Sequence, residues 1–169
     1  MKEAGLSSVD VNLSVSDGAF AGAVDAGQLY QNSGAAAGVN INIVQEPADG
    51  YWSNVWLKKP WCACYWSGRA TEDWMFSTAY ESGVPWNDTG WENERFQSLL
   101  LQGRAELDTG LRGEIYREMQ AICRDEGGTV VPMYQNYVDA KSNRVEHSGK
   151  TGNLWMLDNL RSCKRWWSA

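Results

Sequence analysis

The chain has 169 residues, 43% of them hydrophobic and 21% charged, which suits about one soluble globular domain with a sizeable buried core. A net charge of −6 and an isoelectric point near 4.8 exclude a face built for nucleic-acid phosphates, so no nucleic-acid partner is expected. No run of about eighteen apolar residues is present to cross a membrane, and the opening MKEAGLSSVD lacks the apolar core of a secretory leader.

The first element is VDVNLSV, residues 9–15, in which Val9, Val11, Leu13 and Val15 alternate onto one face of a half-buried strand. Asp17-Gly18 turns the chain. Residues 20–37 are alanine-rich and read as a helix, weakened by Gly22, Gly27 and Gly34 and closed by Gly38. A second alternating strand, VNINIV, covers 39–44 and stops before Pro47. Asp49 is a candidate N-cap for a short helix, GYWSNVWL. A strand from Trp61 to Trp66 follows. It breaks at Ser67-Gly68, presents Arg69 and leads into a helix near Thr71. The order β-α-β-α-β predicts a mixed or parallel sheet flanked by helices, hence an α/β fold.

After Trp91, Asn93 caps a helix over 93–105 with Phe96, Leu99 and Leu100 on one side. Asp108 or Thr109 caps the next, over 109–126, where Leu111, Ile115, Met119 and Ile122 keep helical spacing. Gly127-Gly128 ends it. TVVPMYQNYVDA reads as a further strand over 129–138, with Pro132 pointing to an edge or a bulge. Residues 145–169 show no clear periodicity, and Trp166-Trp167 reads as a packing anchor.

Tryptophan is over-represented, with ten residues against three phenylalanines. Five of the ten lie between Trp61 and Trp91. A tryptophan-rich core accounts for part of this count; recognition surfaces, where a large ring with one N–H donor is favoured, account for the rest.

Catalytic chemistry finds little support. His147 is the single histidine and lies in a polar stretch, VEHSGK, which suits a solvated surface position. There is no G-x-S-x-G elbow and no glycine-rich phosphate loop. The neighbouring carboxylates Glu72-Asp73 and Asp125-Glu126 cannot face each other on a helix; Glu72 and Asp73 suit the positive end of their own helix. Neither metal nor cofactor is expected, since one histidine and no C-x-x-C pair make a poor ligand set. Cys62 and Cys64 share one face of their strand, so a bridge between them would be strained. Cys123 could pair with either of them or with Cys163, and buried free thiols are the other reading.

Recognition remains. Arg69 stands between a glycine turn and a helix start, where a guanidinium fork and free N–H groups both suit a carboxylate. Trp66, three residues earlier, could stack on a ligand. The alternative for Arg69 is a surface ion pair with Glu72 or Asp73.

Five stretches carry a resemblance: KEAGL at residues 2–6, DGYWSNVW at 49–56, ACYWSGRATEDWMF at 63–76, WNDTGWENERFQSLL from Trp86, and LDTGLRGEIYREMQAICRDEGGTVVPMYQNYVDA at 107–140. In this order the chain resembles the carboxyl-terminal part of the family-5 extracellular solute-binding proteins, the dipeptide, oligopeptide, nickel and opine receptors of ABC importers. The resemblance implies one lobe of a two-lobed, class II-like binding protein, with 1–145 as the ligand-binding lobe and 146–169 as a return segment towards an amino-terminal lobe missing from this sequence. It implies a periplasmic location despite the absent leader, a small-molecule or peptide ligand, an ABC permease as partner, and no enzymatic activity. It also implies an oxidising compartment, and with it at least one bridge involving Cys123.

In the family's peptide receptors the position three beyond the strand tryptophan is often an aspartate that holds a peptide amino group. Here it is Arg69, which would repel an ammonium and attract a carboxylate. The resemblance therefore points to anionic or zwitterionic organic solutes, opine-like compounds or acidic peptides. It adds Trp52, Tyr134, Asn136, Trp86 and Asn87 to Trp66 and Arg69 as candidate cleft residues. Two rivals are a tryptophan-rich carbohydrate-binding module, which predicts an all-β sandwich, and a small hydrolase, which needs a better general base than His147.

Overall fold

The computed structural model describes residues 5–169, so Lys2 to Ala4 of the KEAGL stretch lie outside the described residues. The chain divides into two compact units, Met1–Trp66 and Ser67–Ala169, with the break at the Ser67-Gly68 turn.

In the first unit the alternating valines form β1 (Val9–Val15), and β2 (Val39–Gln45) pairs with it in parallel from Val9 opposite Val39 to Val15 opposite Gln45. The connecting helix α1 (Ala23–Ala36) contributes Val24 and Tyr30 to the apolar cluster around Leu13, Val15 and Ile41. The glycines that weaken α1 in sequence have a reason here. A Cβ at Gly27 would lie 3.0 Å from a Val15 methyl, and one at Gly34 would lie 3.0 Å from both Ile41 Cδ1 and the Val39 carbonyl oxygen. Bare backbone lets the helix approach the strands. On the solvent face, cross-strand amides pair as the register dictates: Asn40 donates to Asp10 at 2.8 Å and Asn42 donates to Asn12 at 2.9 Å. Gly38 closes α1 at φ 78°, as expected. The short helix α2 (Tyr51–Asn54) is different: Gly50, at φ 73°, takes the N-cap position in place of Asp49, with no side-chain cap.

The strand predicted over 61–66 reduces to one parallel bridge, Ser14 opposite Cys62. Ser14 N donates to Trp61 O at 3.1 Å and Ala63 N donates to Ser14 O at 2.8 Å. Because β1 ends at Val15, a chain entering beside Ser14 soon runs out of ladder, and the residues beyond follow their side-chain contacts instead.

The second unit is organised by three capped helices. Thr71 accepts from Trp74 N to start α3 (Glu72–Ala79), Asn93 accepts from Phe96 N to start α4 (Glu94–Ala105), and Asp108 accepts from Gly110 N and Leu111 N to start α5 (Thr109–Glu126). Phe76, Phe96, Leu99, Leu100 and Met119 form their buried core, with Tyr80, Trp91, Ile115, Ile122 and Cys123 packed around it. Asp73 does more than stabilise its own helix start. Its Oδ1 accepts from Arg104 Nε at 2.8 Å and from the Tyr116 hydroxyl at 3.2 Å, so one carboxylate ties α3 to α4 and α5.

The strand predicted over 129–138 is absent, because no strand edge among the described residues pairs with it; residues 131–140 are exposed. Beyond it, β3 (Val145–His147) and β4 (Trp166–Ser168) form a short antiparallel pair. The buried Asp158 carboxylate accepts from Gly152 N, Arg165 Nη1 and Trp166 Nε1, and so knits this end together. It lies within Leu157–Leu160, four residues at φ 50–59°. Trp166 packs on His147 at 5.3 Å, which makes it the anchor, whereas Trp167 is exposed. The α/β class stands, with small two-stranded sheets and helices around them.

Candidate functional site

In the first unit the aromatic residues of α2 and of the stretch after Cys62 meet in one cluster. The Trp52 ring lies 5.4 Å from Tyr65 and 5.8 Å from Trp56, and Trp56 lies 6.3 Å from Trp66, all edge to face. These are the separations and tilts at which ring edges favour neighbouring faces. The floor is Tyr51, fully buried, whose hydroxyl donates to Ala63 O at 2.7 Å. Trp52 Nε1 donates to Gly18 O at 3.2 Å, which fixes its ring while leaving 39% of the residue exposed. Tyr65 is 60% exposed. The result is a firm aromatic surface open to solvent.

Trp52 and Trp66 were expected at a binding site, and the structure joins them through Trp56. Sequence reasoning missed Trp56 and Tyr65. Trp56 was accessible from its i, i+4 spacing to Trp52. Tyr65 was hidden by the assumption of a continuous strand, in which it would face away from Trp66.

In the second unit Arg69 folds back on its own turn. Its Nη1 donates to Ser67 O at 2.8 Å and to Ser67 Oγ at 2.9 Å, and the guanidinium lies 5.5 Å from the centre of the Trp74 ring. Such stacking on an indole suits a guanidinium. Asp73, one of the two acidic partners considered for Arg69, binds Arg104 and Tyr116.

The remaining candidates, all in the second unit, are spread over three settings. Trp86 is half exposed and lines an open groove of about 260 Å³ with Ser77, Thr78, Val84 and Pro85. Asn87 braces its loop, donating to Trp91 O at 2.8 Å and Glu81 O at 3.3 Å. Tyr134, 93% exposed, and Asn136 belong to the exposed 131–140 stretch. A larger groove of about 450 Å³ runs between the starts of α3 and α5 and is lined by Thr71, Glu72, Arg112 and Arg117 among others. No cluster of three metal-ligating side chains occurs among the described residues. Cys123 packs beside the helical core, and burial pushes its thiol up to about 12, whereas Cys163 is exposed.

The architecture matches solved structures. HbpA2 from Haemophilus parasuis shares it with TM-score 0.61 and 18% identity, over 75% of this chain and 27% of that one. The substrate-binding protein CtaP of an ABC transporter from Listeria monocytogenes gives TM-score 0.58 and 22% identity, over 73% and 26%. The fold is that of part of an ABC-transporter substrate-binding protein. NikA from Staphylococcus aureus, solved in complex with Ni(L-His)2, also shares this substrate-binding-protein fold, with TM-score 0.54 and 21% identity, over 70% of this chain and 26% of that one. In sequence, 48 residues are 44% identical to the oligopeptide-binding protein OppA of Bacillus subtilis, covering 28% of this chain and 9% of OppA. No family model matches the chain. The chain thus spans about a quarter of the length of the solved proteins whose fold it shares.

Proposed function

We propose that the chain is a portion of a family-5 substrate-binding protein of an ABC importer, corresponding to its carboxyl-terminal lobe, and that it captures solutes without transforming them. The observation that carries this reading is the fold shared over 70–75% of the chain with three such proteins. The OppA segment and the exposed aromatic surface support it.

In this reading residues 1–145 form the ligand lobe, residues 146–169 return towards an amino-terminal lobe, and the whole works in the periplasm with a membrane permease. A solute enters an open cleft, the lobes close by a hinge motion, and the extra contacts made on closure stabilise the closed form that the permease reads. Trp52, Tyr65 and Trp66 supply ring faces, and Arg69 supplies positive charge, which favours a peptide or a small solute bearing a carboxylate, such as an opine.

Native mass spectrometry of the receptor-length polypeptide, purified without denaturation, tests the reading. The expected result is a small organic solute that leaves on unfolding and is recovered chemically unchanged. Recovery of a product made by the protein, or retention only on insoluble polysaccharide, would point to the hydrolase or to the carbohydrate-binding module. The helices α1, α4 and α5 already disfavour the all-β module.

A further inference from the structure

We infer that residues 130–139 form a β-strand completed by the open edge of a sheet in polypeptide beyond this sequence, on the side where residues 131, 133, 135, 137 and 139 present their N–H groups. The inference rests on the reading above, that the chain is part of a longer substrate-binding protein.

The composition of the stretch is that of a strand. Val130, Val131, Tyr134, Tyr137 and Val138 are β-branched or aromatic. Yet no backbone–backbone hydrogen bond involves residues 129–141 among the described residues. Six large apolar side chains stand in solvent, including Tyr134 at 93% and Val138 at 92% exposure. Unpaired N–H and C=O groups beside exposed apolar side chains make a template for strand pairing. The stretch is also tied at both ends. Gly128, at φ 71°, sits against Thr89 after α5, and the Asp139 carboxylate accepts from Leu157 N at 2.6 Å.

The pattern says what kind of partner fits. Alternation places Val130, Tyr134 and Val138 on one face and Val131, Met133 and Tyr137 on the other, so both faces are apolar. Strands of that kind are covered on both sides. Two copies of this stretch paired with each other would leave both faces in water, and an isolated two-stranded ribbon is marginal. A pre-existing sheet with covered faces is therefore required. Its source is the remaining polypeptide, since the solved proteins of this fold are about four times as long as the part this chain matches. Pro132 has no N–H to give, which leaves the edge it shares with residues 130, 134, 136 and 138 incomplete and selects the opposite edge for pairing.

Amide hydrogen exchange read by mass spectrometry tests this in the full polypeptide encoded by the gene and in the 169-residue chain. The expected result is slowing of residues 131–139 by at least about a hundredfold in the full polypeptide relative to the 169-residue chain. Gln135→Pro removes a donor on the pairing side and should abolish that slowing, whereas Asn136→Pro, on the open side, should keep it. Fast exchange in both polypeptides overturns the inference. So does protection in the 169-residue chain that disappears as a dimer dissociates, which would make a second copy the occupant. A reading frame that ends with these residues overturns it as well. Binding of a panel of peptides and opine-like carboxylates is measured by calorimetry on the unsubstituted full polypeptide. Protection without binding would leave the strand standing and remove the receptor reading, and binding without protection would do the reverse.

Discussion

The hydroxyl of Tyr51 donates a hydrogen bond to the carbonyl oxygen of Ala63 at 2.7 Å. Together with the ring contacts of Trp52 on Tyr65 and Trp56 on Trp66, it joins the start of α2 to the irregular stretch that carries Tyr65 and Trp66. It replaces the ladder that the stretch loses after Cys62, and so it holds the aromatic surface together.

Tyr51→Phe keeps the ring and leaves the carbonyl of Ala63 unpaired. The expected loss is about 1–3 kcal/mol of stability, with a changed tryptophan emission as the cluster loosens; denaturant titration with fluorescence readout checks both. Burial raises the phenol's pKa above its ordinary value of 10.0, with Cys62 the next cause. A raised pKa means that the folded state holds the proton more tightly. The stability is therefore present below about pH 10 and is lost as the pH climbs from there through the folded value. A wild type no more alkali-sensitive than Tyr51→Phe would contradict this.

Gly34→Ala should destabilise the first unit although alanine is the better helix former by about 1 kcal/mol. The new methyl meets the Val39 carbonyl oxygen at 3.0 Å, and backbone cannot swing aside as a side chain can. A net loss of about 1–3 kcal/mol follows from overpacking. Thermal melting checks the sign, and a raised Tm would show that α1 has room to lift.

Cys123 should resist thiol reagents in the native protein while Cys163 reacts at once. The first is packed beside the core with its thiol pushed up to about 12; the second is exposed. Thiolate is the reactive form, so both burial and pKa slow Cys123. Mass spectrometry after brief iodoacetamide treatment reads this directly. Equal labelling would contradict it, and fewer than four thiols in the denatured, unreduced protein would reveal the bridge expected from an oxidising compartment.

Asp158 should make the carboxyl-terminal end acid-sensitive. The Gly152 N–H lowers its pKa most, with the Arg165 charge, the Trp166 N–H and the neighbouring His147 acting in the same direction. A lowered pKa stabilises the fold above the ordinary carboxylate value of about 3.9, and the gain is lost as the pH falls below it through the folded value. Trp166 emission followed between pH 6 and pH 2 should show this step, and Asp158→Asn should remove it.

Much of the fold was legible where local chemistry decides the outcome. Asn93 and Asp108 cap their helices as side chains that accept the first free N–H groups, and the leucine spacing behind them reports a buried face. The strands at 61–66 and 129–138 were not legible. Composition records that a stretch suits a strand, but only a neighbouring edge makes one, and β1 stops at Val15. Asp49 lost the cap position to Gly50, whose φ of 73° lies in the left-handed region that favours glycine. At the site, aromatic content marked Trp52 and Trp66. The contacts that join them run through Trp56 and Tyr65 and depend on how the chain bends after Cys62.

The most direct test of the solute-receptor account is calorimetric titration of the receptor-length polypeptide with a panel of peptides and opine-like carboxylates, using wild type, Trp52→Ala and Arg69→Ala. The account predicts saturable binding of at least one carboxylate-bearing solute, weakened about ten- to a hundredfold in each variant. No saturable binding across the panel, or an affinity unchanged in both variants, would contradict it.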